Sequence, residues 1–209
     1  MNLCFIGFGE LGNQLLSHIN DVDCNNEIIY FDDNLLDSNK NNTYKFEDYI
    51  NINFSDSKYI IGLGYKHLNK KRQILNYLTE KKTNFFTFIH EKGFVNKSSK
   101  IGEGSFIYPN HNIDRNVTVG KCVIINNSVT ISHDTVINDC VYISPGVIIS
   151  GNVEIGECTF IGTGSIISNN VKIGKNVKIG IGSVITNDIP DGMSVIGNPM
   201  KIVNSLTIK

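Results

Sequence analysis

No stretch of this sequence approaches the ~20 consecutive apolar residues of a membrane-spanning helix, so no span is expected. The start, MNLCFIGFGE, lacks the basic n-region and cleavage site of a secretory signal, and the expected compartment is the cytoplasm. Neither sign of charge is in excess: 19 Lys and Arg against 20 Asp and Glu leave a net charge of −1. That balance leaves no electrostatic footprint for nucleic acid or an anionic membrane. Cysteine is sparse and poorly spaced for metal. The five (Cys4, Cys24, Cys122, Cys140, Cys158) are odd in number and form no C-x-x-C pair, which argues against zinc. With 209 residues, 41% of them apolar, the chain can build a sizeable core in one large domain or two small ones.

What the sequence has is a period. From Val95 to Ile185 every sixth residue is Ile or Val, without a break. Four places after the aliphatic the side chain is usually small or β-branched, as at Val117, Val123, Val129, Thr135, Val141, Val147, Val153, Thr159, Ser165 and Val171. Such a period signals a solenoid, not an ordinary sheet. Each hexad supplies a short strand and a turn, and three hexads close one triangular coil with the aliphatics inside. The run makes about five coils. It is expected to stop at Asp191, where an aliphatic is due.

Residues 1–88 carry no such period and are expected to form a separate domain from the solenoid of residues 89–209. MNLCFIGFG reads as a strand and turn, ELGNQLLSHIN as a helix, and EIIYFDD as a second strand ending in two acids. KYIIGLG is a third strand, KHLNKKRQILNYLTEKK a helix, and NFFTFIH a strand leading out. The alternation predicts a small parallel α/β domain, half of a dinucleotide fold. The Asn-rich stretch from Asn34 to Asp56 reads as a surface connection.

Gly7, Gly9 and Gly12 satisfy G-x-G-x-x-G, with Asp32 about twenty residues farther on. The N–H groups of such a helix start can hold a phosphate, and Asp32 or Asp33 can accept a hydrogen bond from a ribose or base. NAD binding, a single nucleotide, and a tight turn needed only for packing all fit these residues. Size argues against NAD, because about three strands precede the solenoid where a full dinucleotide fold needs two mononucleotide halves.

GFGELG, IIYFDD, IIGLGYK, the hexads and Gly197-Asn198-Pro199-Met200-Lys201 together resemble the hexapeptide-repeat sugar acyltransferases over nearly the whole chain. That family includes the nucleotide-linked 4-amino-sugar N-acetyltransferases and the sialic acid O-acetyltransferases. The resemblance implies a left-handed parallel β-helix, acetyl-CoA as co-substrate and no metal. It implies transfer to the amino group of a UDP-, dTDP- or GDP-linked 4-amino-4,6-dideoxy sugar, with O-acetylation of sialic acid or another sugar as the alternative. Gly7, Gly9, Asp32, Asp33, Gly64 and Lys66 would line the nucleotide site. Tyr142, Gly151, Gly162, Gly180, Pro199 and Lys201 would border the cofactor, and the assembly would be a homotrimer. Two departures stand out. Glu10-Leu11-Gly12 replaces the Gly-His-Gly of many relatives, and Tyr142 stands where relatives often place histidine.

Of the five histidines, His18 and His67 lie in helical stretches, His90 leads into the solenoid, and His111 falls at a small-residue position. His133 lies two places after the inward Ile131, where a side chain projects outward, and Asp134 follows it. A surface histidine beside an acid is common. The resemblance of SHDTVIND to the family's H-E-C-x-I-G-D segment implies that His133 is the general base and Asp134 its orienter. An imidazole can take the proton that the sugar amine loses on attacking the thioester, so no acyl-enzyme is needed. Residues three hexads apart stack at the strand spacing of ~4.8 Å. Gly151 should therefore adjoin His133 and offer its N–H to the thioester, and Cys122, Cys140 and Cys158 should form a ladder. A dehydrogenase and a non-catalytic β-helical scaffold are the readings outside this class.

Overall fold

The structure is a computed structural model that describes residues 2–21, 26–38, 40–52, 54 and 56–204; Cys24 lies outside the described residues. The chain forms two compact units, Met1–Phe86 and Thr87–Lys209.

The first unit is a parallel sheet of β1 (Asn2–Ile6), β2 (Glu27–Phe31), β3 (Thr43–Tyr44), β4 (Ser57–Ile61) and β5 (Asn84–Phe85), with α1 (Glu10–Asn20) and α2 (Leu68–Glu80). Strand order is β3-β2-β1-β4-β5. Central β1 pairs on both sides, and Leu3, Cys4, Phe5 and Ile6 are fully buried, as a continuous apolar run requires in a parallel sheet. α1 buries Leu11, Gly12, Leu15 and Ile19, a stripe at helical spacing. The chain goes to β2 on one side of β1 and to β4 on the other. The glycine turn after β1 therefore sits where strand order reverses, the usual ligand crevice of open α/β sheets.

Three details differ from the sequence reading. The sheet has five strands, because Thr43–Tyr44 inside the Asn-rich connection and Asn84–Phe85 add short edges. α2 starts at Leu68, after a 3-10 turn at Tyr65–His67. NFFTFIH is divided: Asn84–Phe85 ends this sheet and Phe88–Ile89 begins the second unit.

The second unit is a parallel β-helix whose two-residue strands form three sheets. Each strand pairs with the one three hexads on, as in Ile107↔Ile125, Ile113↔Ile131 and Val119↔Ile137. The aliphatics and their small partners, Val117, Val123, Val129 and Thr135 among them, are buried inside. Corners repeat as well. Asn110, Asn116, Cys122, Ser128, Asp134, Cys140, Gly146, Asn152, Cys158, Gly164, Asn170, Asn176 and Gly182 all have positive φ. The left-handed region tolerates Gly, Asn and Asp best, so these types recur at one hexad position. Cys122, Cys140 and Cys158 stack there, all three buried.

The strands of the prism continue beyond both ends of the repeat that runs from Val95 to Ile185. Phe88–Ile89 already pairs with Phe106–Ile107. At the other end Ile189 bridges Ile173 and Val195 pairs with Ile179, each two places short of the full three-hexad offset. The aliphatic due at Asp191 thus arrives early, and Ile189 is buried in its place. Ser194–Ile196 then pairs antiparallel with Lys201–Val203, with a cis Asn198–Pro199 peptide in the connection.

Candidate active site

His133 owes its position to the hexad. Ile131 ends a strand pointing inward, Asp134 turns the corner at φ 57°, and Thr135 points inward again. Between them the His133 side chain projects outward, 39% exposed, beside an Asp134 carboxylate 36% exposed. His133 Nδ1 lies 2.9 Å from Asp134 Oδ2. An ionised carboxylate only accepts, so Nδ1 carries the proton and Nε2 presents its lone pair. Among the described residues, Nε2 has no hydrogen-bond partner.

Asp134 is itself held. Asn116 Nδ2 donates to its Oδ1 at 2.9 Å, and a guanidinium nitrogen of Arg115 lies 3.6 Å from Oδ2. The Asn116 hydrogen bond, then the His133 hydrogen bond and the Arg115 charge, keep the Asp134 carboxyl below the usual carboxylate range. Its negative charge is thus maintained beside the imidazole.

Gly151 adjoins His133 as the coil-on-coil stacking requires. A Cβ there would come within 2.6 Å of the imidazole Cε1 and 2.7 Å of Nε2, so only glycine leaves the ring its space. The expectation of an open Gly151 N–H is corrected: it donates to Asn169 Oδ1 at 3.0 Å. Arg115, Asn116 and Asn169 were missed in the sequence. Counting three hexads back from His133 and Asp134, and three on from Gly151, would have found them.

The remaining candidates of the second unit lie elsewhere on the β-helix. Tyr142 belongs to another of the three sheets and stacks on Phe160 with ring centroids 5.9 Å apart. At Gly162 a Cβ would meet backbone of the next coil at 2.7 Å, and at Gly180 it would meet Ile196 at 2.7 Å, so both glycines are demanded by close approach. Pro199 and Lys201 are exposed in the final hairpin.

In the first unit, Gly7 has φ +78° and gives its N–H to Phe31 O at 2.9 Å. Gly9 is the N-cap of α1, which no side chain caps, and open space surrounds its missing Cβ. Such a helix start can receive an anion. Asp32 is 7% exposed, and its carboxylate is occupied: Oδ2 accepts Phe8 N–H at 2.5 Å, while Oδ1 accepts Asn34 N–H and Nδ2 at 2.9 and 3.1 Å. It clamps the glycine turn to the end of β2. Asp33 is exposed, with Oδ1 accepting Phe46 N–H at 3.1 Å. Gly64 N-caps the 3-10 turn that carries the exposed Lys66.

His111 and His90 serve the fold. His111 is buried, its Nδ1 bonded to Tyr108 O at 2.8 Å, and its ring fills the space above Gly93. Burial holds its pKa below the ordinary value, partly opposed by the Tyr108 carbonyl. His90 Nδ1 accepts Lys92 N–H at 3.1 Å.

The chain matches the family model of the GMPPB C-terminal domain over residues 88–186. No curated protein sequence matches it. Among solved structures, the acetyltransferase domain of PglB from Neisseria gonorrhoeae FA1090 is similar at 30% identity and a TM-score of 0.83, over 97% of this chain and 99% of that one. The same domain in complex with acetyl coenzyme A gives 30% identity and a TM-score of 0.83, over 97% and 98%. PerB from Caulobacter crescentus, in complex with CoA and GDP-perosamine, shares the fold at 22% identity and a TM-score of 0.82, over 98% of each chain. Among the described residues, no helix is long and apolar enough to cross a membrane.

Proposed function

The chain belongs to the left-handed β-helix, hexapeptide-repeat sugar acyltransferases, and we propose that it moves the acetyl group of acetyl-CoA onto the amino group of a nucleotide-linked 4-amino-4,6-dideoxy sugar. The observation that carries this reading is the exposed His133–Asp134 pair, with the Nδ1 proton tied to a carboxylate and Gly151 clearing space for the ring. The neutral sugar amine attacks the thioester carbonyl, forming the C–N bond and a tetrahedral intermediate. His133 Nε2 takes the proton lost by that nitrogen. Collapse breaks the C–S bond, and the imidazolium returns the proton to the CoA thiolate. Asp134 holds the tautomer and faces the transient positive charge. No acyl-enzyme forms.

On this reading the nucleotide sits at the glycine turn of the first unit. Gly7 and Gly9 let the backbone approach the phosphates, the open start of α1 supplies N–H donors, and Asp33, Gly64 and Lys66 contact the ligand. Asp32 acts one step away, by holding the turn. Tyr142, Gly151, Gly162, Gly180, Pro199 and Lys201 border acetyl-CoA. PglB has been solved with acetyl coenzyme A, and PerB with CoA and GDP-perosamine, which supports both ligand classes. The His133 corner projects from a narrow prism and needs walls to enclose a thioester and a sugar. Three parallel prisms around a threefold axis supply them, with each site between neighbouring subunits. The enzyme works in the cytoplasm.

The test is free-thiol release from acetyl-CoA with UDP-, dTDP- and GDP-linked 4-amino sugars, and with sialic acid, as acceptors. Release that depends on an amino sugar is expected; release with sialic acid alone would make the enzyme an O-acetyltransferase. Light scattering should give three times the chain mass, and an active monomer would discard the shared site.

A further inference from the structure

The corner that carries Asp134 belongs to a polar column. Ser98, Asn116 and Asp134 occupy one hexad position on three successive coils, and Asn116 and Asp134 each have φ 57°. Ser98 Oγ donates to Asn96 Oδ1 at 3.0 Å, which leaves its lone pair for Asn116 N–H at 2.9 Å. Asn116 Nδ2 then donates to Asp134 Oδ1 at 2.9 Å, and His133 Nδ1 donates to Asp134 Oδ2 at 2.9 Å. The carboxylate can only accept, which fixes the direction of the two bonds to Asp134, and the Asn116 backbone N–H can only donate, which fixes that of the bond to Ser98.

We propose that Asn116 is a positioning residue for acetyl transfer, fixing Asp134 Oδ1 from the preceding coil so that Oδ2 faces the base. This rests on His133 being that base. Asp134 is half-exposed, so its carboxylate would otherwise turn and exchange His133 for water. Asparagine meets two demands at once: it tolerates the left-handed corner, and its carboxamide spans the ~4.8 Å between coils. Glycine meets only the first. Aspartate at this position would set like charges against each other. Arg115, 3.6 Å from Oδ2, lies beyond hydrogen-bond distance and adds charge to this corner in place of a directed bond.

The test uses Asn116→Gly, which keeps the backbone and removes the carboxamide, and Asn116→Asp, which keeps the shape and replaces the donor. Asn116→Gly should lower kcat about 3–30-fold, with KM for both substrates within about twofold, and Asn116→Asp should lower it more. In an Asp134→Gly background, Asn116→Gly should cause no further loss, because its route to the base is already gone. The Asp134 carboxyl carbon, followed by NMR, should titrate at higher pH in Asn116→Gly than in the parent. Full kcat in Asn116→Gly, or the same fold-loss in both backgrounds, would overturn the proposal. A fully active His133→Asn variant would instead remove the base reading. An Asp134 titration unmoved in Asn116→Gly would overturn the Asn116 contact by itself.

Discussion

Two corners of the β-helix each set a histidine ring against a glycine one coil away, and they do opposite things. His111 lies over Gly93 on the preceding coil, and His133 lies against Gly151 on the following one. His111 stands four places after an inward aliphatic and is 3% exposed, its Nδ1 bound to a backbone carbonyl. His133 stands two places after one and is 39% exposed, its Nδ1 bound to a carboxylate. Stacking gives both rings a slot. The place within the hexad decides whether a ring is sealed into the wall or offered to a substrate, and the Nδ1 partner decides whether a positive charge would be welcome there.

The contrast breaks first at His133. His133→Asn should lower kcat by about 10²–10⁴-fold, the usual loss for a general base, with the melting temperature and acetyl-CoA affinity nearly unchanged. Turnover near the parent rate would make the two corners alike. Next comes Gly151→Ala. Its Cβ would displace an exposed ring that can swing into solvent, so stability should hold while kcat falls about 10–10²-fold through misplacement of the base. A thermal unfolding scan beside steady-state kinetics separates the two effects.

Gly93→Ala should show the reverse pattern. His111 is enclosed and cannot swing away, so the added methyl should destabilise the chain by about 1–3 kcal/mol in denaturant titration, with kcat per folded molecule retained. The smallest effect concerns pH. Because burial lowers the His111 pKa, the unfolded chain binds more protons than the folded one between the folded value and about 6.5. The stability involved is complete above about pH 6.5 and is lost as pH falls through that window. His111→Gln should flatten the stability–pH slope there, by no more than ~1.4 kcal/mol per pH unit. An unchanged slope would mean that His111 does not titrate with unfolding.

The β-helix was legible because its code is short. One aliphatic in every hexad places each side chain inside or outside before any contact is known, and pairing between successive coils follows. The misread end at Asp191 shows the limit of that code, since a coil two places short still delivers Ile189 to the core. The α/β unit was harder to read at its edges. Thr43–Tyr44 and Asn84–Phe85 are two-residue strands with no period of their own, defined only by the sheet they join. His133 and Asp134 are marked by an outward hexad position and by the resemblance of SHDTVIND, and Gly151 by register arithmetic; the same arithmetic run backward reaches Arg115 and Asn116.

The sequence by itself determined the repeat, the inward and outward faces, the turn-forming corners and the neighbours of the residues within the run from Val95 to Ile185, because those follow from local geometry repeated without interruption. Only the tertiary structure decided which polar atoms answer one another. Gly151 N–H goes to Asn169, Asp32 is filled by Phe8 and Asn34, and Asp134 is held by Asn116 and Arg115. Register brings such groups within reach, but hydrogen bonds are settled by side-chain rotamers and by competition among several donors for one acceptor, and neither is written in the spacing of residues along the chain.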